Sequence, residues 1–231
     1  MLSYEEERLI PIEYQILAEE VNDGYLTQAF GRLVNYLVRT QKSALGHLQP
    51  ISLTKNEDYL SIDYNSRRNL ELTETIRSKS RQGSLLWLLD KTKTAMGSRL
   101  LKQWIERPSI NAQMINERLD VVESFMSDFM LKEELKRHLD EVYDLERLSG
   151  RIAFGNANAR DLLQLNSSLN QIPHIKALLS QLPMPTIQQQ LARMADCSHI
   201  TDILEKAIVD NPPIGIKEGG IIKDGYHETL D

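Results

Sequence analysis

Cysteine and long apolar runs are nearly absent from this chain of 231 residues. Cys197 is its single cysteine, so one chain can form neither an internal disulfide nor a thiolate zinc cluster. No apolar run approaches the roughly 18 residues that a membrane span requires. The start, MLSYEEERLI, is acidic where a secretory signal would be basic. We therefore expect a cytoplasmic protein with no membrane partner.

The chain also has fewer positively charged than negatively charged side chains. The chain has 27 Lys and Arg against 33 Asp and Glu, a formal net charge of −6, whereas affinity for nucleic acid comes largely from cations that neutralise phosphates. Basic clusters occur at Arg67-Arg68, from Arg77 to Arg81 and from Lys91 to Arg107. Because a charge run is usually a solvated face, the sequence favours that interpretation over direct phosphate contacts.

Aromatic residues make up only 6% of the chain, which leaves little for a surface that stacks single-stranded bases. Trp87 and Trp104 lie among apolar residues at helical spacing. We therefore predict that both are core anchors.

The residue types of catalytic and cofactor sites do not cluster either. A phosphate-binding loop needs spaced glycines followed by Gly-Lys-Ser/Thr, and no such run occurs, since Gly219-Gly220 is typical of a strand and turn. The five histidines are far apart in sequence, which disfavours a metal site. Asp144 and Glu146 could suggest acid–base catalysis, but Asp144 precedes Arg147 at the spacing of a helix cap or a surface ion pair. We predict no enzymatic activity, no cofactor and no metal for this chain.

What the chain does have is apolar residues at helical spacing, and these predict a mostly α fold. One helix is expected within residues 12–45, ending near Gly46, and others follow Pro108 almost to the end. Extended or hairpin structure is expected near 48–64, with a turn from Lys55 to Asp58, and extended structure after 211. The expected helix caps are Ser66, Asn111 and Asn158.

The most informative segment is SLLWLLDKTKTAMGSRLLKQWIERP, from Ser84 to Pro108. It joins a short apolar helix to an amphipathic one through a Thr-rich elbow. Thr94 is placed to cap the second helix, and Pro108 to end it. Gly97 and Ser98 remove side-chain bulk where another helix or strand could approach.

This segment closely resembles the start of the core, or lever, region of the MutS family of DNA mismatch-repair ATPases. Further motifs fall in the family's order over most of the chain: Arg67 to Leu72, Asn116 to Val122, Asp144 to Leu148, Arg160 to Leu162, and Gly219 to Tyr226.

The resemblance implies three parts. Residues 1–46 are expected to be the end of the connector domain, 47–64 an extended bridging segment, and 65–231 the first part of the core. That part would stop where the family's chain enters its clamp, and Met1 would not be a natural start. The resemblance carries over a structural signature and no catalytic residue: Thr92, Thr94, Met96, Gly97, Arg99, Trp104, Pro108, Asp144, Glu146, Arg147, Arg160 and Asp161.

In the family, this region transmits conformational change between the DNA-binding parts and the ATPase. The resemblance therefore implies mismatched double-stranded DNA, a homodimer and a MutL-type protein as partners of the full-length protein, with ATP and Mg as its cofactors. The chain has no Phe-x-Glu mismatch wedge, no clamp and no Walker motif. The family's core also contains returning helices, so we expect an exposed apolar face and self-association through it.

Two other functions remain open at this point. A MutS paralogue that acts outside mismatch repair would share the core, although the connector-like residues before 47 disfavour it. A free-standing helical adaptor could bind a protein partner through its apolar stripes.

Overall fold

Helices dominate the structure, as the sequence predicts. This computed structural model describes residues 9–19, 21–40, 48, 50–51, 58–213, 215 and 218–227. The chain divides into two compact units, residues 1–56 and 57–231. A short 3-10 helix (Ile12–Ala18) precedes the α-helices of the described residues: α1 (Gly24–Thr40), α2 (Tyr64–Asn69), α3 (Leu85–Leu89), α4 (Ala95–Glu106), α5 (Ala112–Ser127), α6 (Phe129–Asp140), α7 (Leu145–Ala153), α8 (Ala159–Leu179), α9 (Pro185–Arg193) and α10 (Ser198–Ala207).

The first unit packs the 3-10 helix against α1 around Val34, which is fully buried. Asn35 beside it is also buried, and its amide donates hydrogen bonds to the carbonyls of Leu9 and Gly31. Those two bonds satisfy a polar group that would otherwise be costly to bury. The predicted helix is confirmed over 24–40, while its expected end near Gly46 lies outside the described residues.

The expected hairpin near 48–64 is only partly described, because most of its turn lies outside the described residues. Tyr59 forms an antiparallel bridge with Ser109, just beyond α4, so this extended residue pairs far along the chain. The expected cap at Ser66 was wrong. Tyr64 already begins α2, because the carboxylate of Asp63 accepts hydrogen bonds from the backbone N–H groups of Asn65 and Ser66.

The predicted caps at Asn111 and Asn158 are confirmed. Asn111 accepts a hydrogen bond from the N–H of Met114, and Asn158 forms a reciprocal capping box with Asp161. Asp128 separates α5 from α6, because its side chain accepts a hydrogen bond from the N–H of Leu131 and starts a new helix.

Helix α8 is central to the second unit, where it packs against α6, α7, α9 and α10. One core cluster joins it to α10, and another lies beneath α6 and α9. Ser168 on α8 is fully buried, and its hydroxyl donates to the carbonyl of Gln164 and accepts from the N–H of Tyr143. Pro173 lies inside this helix, which continues past it to Leu179. The buried members of the two clusters are Ala159, Leu204, Ala207 and Ile208, and Leu131, Leu182 and Ile187.

The extended structure expected after residue 211 is not shown. The described residues there contain one isolated antiparallel bridge, in which Ile222 pairs with Ile208. Backbone hydrogen bonds from Val209 to Ile221 and from Lys223 to Ala207 flank it. This pairing attaches residues 221–223 to the end of α10. None of the described helices is long and apolar enough to cross a membrane.

Helix α5 has an exposed apolar face. Ile115, Leu119, Val122 and Met126 follow a four-three-four spacing that places them on one side of the helix. Each of them is exposed, with Leu119 at 58% and Met126 at 74%. Self-association through this face stays a prediction.

Candidate functional site

The bend between α3 and α4 is organised by one carboxylate, that of Asp90. It accepts hydrogen bonds from the hydroxyl of Ser98 (2.5 Å) and from the hydroxyl (2.6 Å) and backbone N–H (3.0 Å) of Thr92, and it forms an ion pair with Arg81. Its side chain is only 9% exposed. The hydrogen bonds from Ser98 and Thr92 lower the pKa of Asp90 well below its ordinary range. We call residues 90–99, which this carboxylate holds in shape, the elbow.

Thr94 caps α4 as predicted, because its hydroxyl oxygen accepts a hydrogen bond from the N–H of Gly97 (3.0 Å). The nearest neighbours of Gly97 belong to the elbow itself. A Cβ at this position would lie 3.1 Å from the Thr94 hydroxyl and 3.3 Å from Thr92 Cβ. The small residue therefore makes room for the elbow's own threonines, and no other helix or strand needs to approach. Met96 follows at the start of α4 and is half-buried.

Arg99 connects the elbow to the start of α7. Two of its guanidinium nitrogens donate to the two carboxylate oxygens of Asp144 (2.8 and 2.7 Å), and Nε donates to Glu146 (2.9 Å). Asp144 also caps α7 by accepting a hydrogen bond from the N–H of Arg147 (3.2 Å). Arg99 lowers the pKa of Asp144 to about 2, while the two carboxylates raise the pKa of Arg99. Two signature motifs 45 residues apart thus meet at one ion cluster.

A second ion pair joins the elbow to the end of α6. The ammonium of Lys93 lies 2.9 Å from a carboxylate oxygen of Asp140. Together with the pairs from Arg99 to Asp144 and Glu146, it connects the elbow to the turn between α6 and α7. We call these five side chains the elbow junction: Lys93, Arg99, Asp140, Asp144 and Glu146.

The other signature residues lie outside the elbow junction. Asp161 belongs to the capping box of α8 and forms an ion pair with Arg151 (2.8 Å), which fixes the turn between α7 and α8. Arg160 beside it is exposed. Pro108 follows the end of α4, and its carbonyl accepts a hydrogen bond from the N–H of Leu60.

The prediction that Trp87 and Trp104 are core anchors was wrong. Their exposed fractions are 49% and 39%. The indole of Trp104 lies under the guanidinium of Arg118, at 3.8 Å from the ring centroid. Neither indole is enclosed by the protein. Helix α4 contains no fully buried residue, and the buried residue of α3 is Leu86.

The histidines were predicted to be scattered, yet two of them meet. The rings of His138 on α6 and His174 on α8 stack with centroids 5.0 Å apart, and His138 is hydrogen-bonded to Gln171. A separation of 36 residues hides this contact from sequence periodicity. In the described part of the chain, no group of three or more His, Cys, Asp or Glu could hold a metal ion.

The elbow junction connects helices through ion pairs. The planar guanidinium group of an arginine can donate two parallel hydrogen bonds to one carboxylate. Three cations of the basic clusters noted in the sequence, Arg81, Lys93 and Arg99, each form an ion pair with a carboxylate of the same chain.

Comparison with known proteins gives the family. The family model of MutS domain III matches residues 65–229. The chain belongs to the MutS family. It is 50% identical, over 230 residues, to the DNA mismatch repair protein MutS of Geobacillus sp. (strain WCH70), covering 100% of this chain and 27% of that relative. It is 52% identical to the MutS of Bacillus cereus (strain ATCC 14579), again over 230 residues, with 26% of the relative covered.

The MutS of Bacillus mycoides (strain KBAB4) is similar to the same extent, with 51% identity over 230 residues. The chain therefore spans about a quarter of the length of the curated MutS relatives it matches, 26–27% in these cases. The elbow and the elbow junction lie within the residues that match domain III.

Proposed function

We propose that this chain is the coupling core of a MutS-type DNA mismatch-repair protein. The observation that carries the proposal is its identity of 50–52%, over 230 residues, to proteins that bear the name DNA mismatch repair protein MutS. In this proposal the chain connects the parts that hold DNA to the part that hydrolyses ATP. It has no catalytic activity and holds no cofactor itself.

The full-length protein would act in the cytoplasm on mismatched double-stranded DNA, as a homodimer that uses ATP and Mg and binds a MutL-type partner through its connector. Residues 1–46 would supply the end of that connector, residues 47–64 the bridge, and residues 65–231 the first part of the core. The relatives named above carry the mismatch-repair name, which favours this proposal over a paralogue outside mismatch repair or a helical adaptor.

Two features of the chain support a connecting role. Its formal net charge of −6 disfavours a strong phosphate-binding surface. Two of the elbow's basic residues, Lys93 and Arg99, are paired with carboxylates of the same chain. The elbow therefore joins helices that are distant in sequence, and the charges of these two residues are offset within the chain.

Fluorescence anisotropy with labelled duplexes tests where the DNA-binding surface lies. The purified chain is titrated against matched and mismatched duplexes at low and physiological salt, with the full-length Bacillus cereus relative as the positive control. We expect no binding by the chain at physiological salt. Salt-sensitive binding that is indifferent to the mismatch would assign phosphate contacts to a basic cluster, and a preference for the mismatch would overturn the proposal.

ATP hydrolysis by the same purified chain tests the absence of catalysis. We expect no release of phosphate above that of a heat-denatured sample, with or without DNA, because no phosphate-binding loop occurs in the sequence. Hydrolysis that survives repurification and requires the folded chain would contradict this part of the proposal.

A further inference from the structure

We propose that the elbow junction is an electrostatic latch, in which ion pairs hold α4 on the turn between α6 and α7 and their loss lets α3 and α4 swing away together. The inference deepens the proposed function, on which it rests for the purpose of the motion. The latch itself follows from the contacts of Lys93 and Arg99.

The first observation is the kind of contact that joins the two parts. Among the described residues, the hydrogen bonds between the elbow and the α6–α7 region all join charged side chains: Lys93 to Asp140, and Arg99 to Asp144 and Glu146. No backbone ladder reinforces them in that part of the chain. The polar part of the attachment therefore consists of ion pairs.

The second observation is the weak apolar contribution of α4. None of its residues is fully buried, and Leu100 and Trp104 are 47% and 39% exposed. By contrast, α8 contributes Leu169, Ile175 and Leu178 to the buried interior. Helices are usually held mainly by the burial of apolar side chains. Met96, Leu101 and Ile105 of α4 are half-buried and Trp104 contacts Arg118, so α4 has some packing of its own. Because none of its residues is fully buried, we assign a large share of its attachment to the ion pairs.

The third observation is that the latch is open to solvent. The side chains of Lys93 and Arg99 are 38% and 48% exposed, and that of Glu146 is 68% exposed, while Asp144 is the more covered partner at 22%. Ion pairs at such sites are strongly screened by salt, since the Debye length falls from about 10 Å at 0.1 M to about 3 Å at 1 M. A competing anion or a change of ionic strength can therefore reach the pairs directly.

Hydrogen bonds within the elbow tie α3 to α4, and α3 is in turn bonded to residues 71 and 72, which would move with it in this proposal. Asp90 at the end of α3 accepts a hydrogen bond from Ser98 in the first turn of α4, and Thr94 caps the same turn. These bonds lie within the elbow and do not involve the α6–α7 turn. Breaking the latch would consequently leave the angle between α3 and α4 intact and change only their position relative to α7.

A distance measurement between α4 and α7 tests the latch in the whole chain. Replacing Cys197 with Ser leaves no cysteine, so Gln103→Cys on α4 and Ser149→Cys on α7 can be spin-labelled at two exposed positions. Pulsed electron resonance then gives the distribution of distances between the labels. The distribution is recorded at low salt and at 1 M salt, and again at low salt with Arg99→Gln.

The matched control is Arg137→Gln, which removes a guanidinium that pairs with Glu134 within α6 (3.7 Å) and does not join separate elements. We expect a single short distance at low salt that becomes longer and broader at 1 M salt and with Arg99→Gln, and that Arg137→Gln leaves unchanged. Circular dichroism checks that helix content is retained. If Arg99→Gln fails to fold, the salt series on the unmutated protein still decides the matter.

A distribution that stays short and narrow both at 1 M salt and with Arg99→Gln would overturn the latch, because packing would then hold α4. The outcome is independent of the proposed function. An opening latch without any effect on mismatch-dependent ATP hydrolysis in a full-length protein would contradict the coupling role alone.

Discussion

Replacing Asp144 with Asn removes the charge of the latch while keeping the cap of α7. Asn and Asp are comparable N-cap residues, so the amide oxygen can still accept the hydrogen bond from the N–H of Arg147. What is lost is the two-pronged ion pair with Arg99. Asp144→Asn therefore separates the latch from the local helix, and Asp144→Ala, which removes both, should destabilise by about 1 kcal/mol more.

The size of the effect follows from the pKa of Asp144, which is lowered from 3.8 to about 2, mainly by Arg99 and in part by the backbone N–H and the charge of Arg147. A shift of that size corresponds to about 2 kcal/mol, and the exposure of Arg99 reduces it, because solvent screens such pairs. We expect Asp144→Asn to lower the free energy of unfolding by about 1 kcal/mol. The matched control is Asp128→Asn, because Asp128 is another N-cap aspartate, that of α6, and its replacement should change stability by less than about 0.5 kcal/mol.

The stability that the Asp144–Arg99 pair contributes depends on pH, and the pKa shift of Asp144 gives the direction of that dependence. The carboxyl group of Asp144 has a lower pKa folded than unfolded, so the unfolded chain binds the proton more readily. The contribution of the pair is complete above about pH 4 and is lost as pH falls through about 2. Urea unfolding followed by circular dichroism measures the difference between the unmutated protein and Asp144→Asn. A difference that persists unchanged at pH 2, or that is absent at pH 7, would refute the reasoning.

Three further predictions concern the interior, a cap and the exposed face. Leu131→Ala should lower the free energy of unfolding by about 2–4 kcal/mol, whereas Met130→Ala, at a position 75% exposed, should leave the urea midpoint nearly unchanged. Asn158→Ala should cost about 1–2 kcal/mol in the same assay, because it removes half of the capping box. Light scattering at high protein concentration should give a mass above that of the monomer, and Leu119→Glu should lower it; a strictly monomeric mass would contradict self-association through α5.

Helix caps were the most predictable feature of this fold, because they depend on residues three apart. Thr94, Asn111 and Asn158 each cap the helix that the sequence indicates. The starts of α2 and α6 have the same local origin, since Asp63 and Asp128 are also good caps and each begins a helix at a point where the apolar pattern shows no break. A search for aspartates within apolar stripes would have found both.

Burial was harder to predict than helix formation. The spacing of Trp87 and Trp104 correctly placed them on helices, but spacing does not show what covers a helix face. Both indoles are half-exposed because α3 and α4 bury almost nothing of their own. An apolar position predicts burial only where a second element packs against it.

The elbow junction could be predicted only in part. The sequence identified the residues as a signature through their resemblance to a family, yet no local pattern pairs Arg99 with Asp144 or Glu146, which lie 45 and 47 residues away. The local interpretation of Asp144 as a cap was right and incomplete. Long-range ion pairs depend on how helices are placed, and periodicity contains no information about that placement.

The coupling role is tested most directly in a full-length protein. The chain replaces the matching 26% of the Bacillus cereus relative, and ATP hydrolysis is measured with matched and mismatched duplexes, first for the graft and then for the graft with Arg99→Gln or Arg137→Gln. We predict that the graft keeps the host's difference between the two duplexes, that Arg137→Gln leaves it unchanged, and that Arg99→Gln abolishes it without stopping hydrolysis in the absence of DNA. An Arg99→Gln graft that responds to the mismatch as the host does would contradict the account.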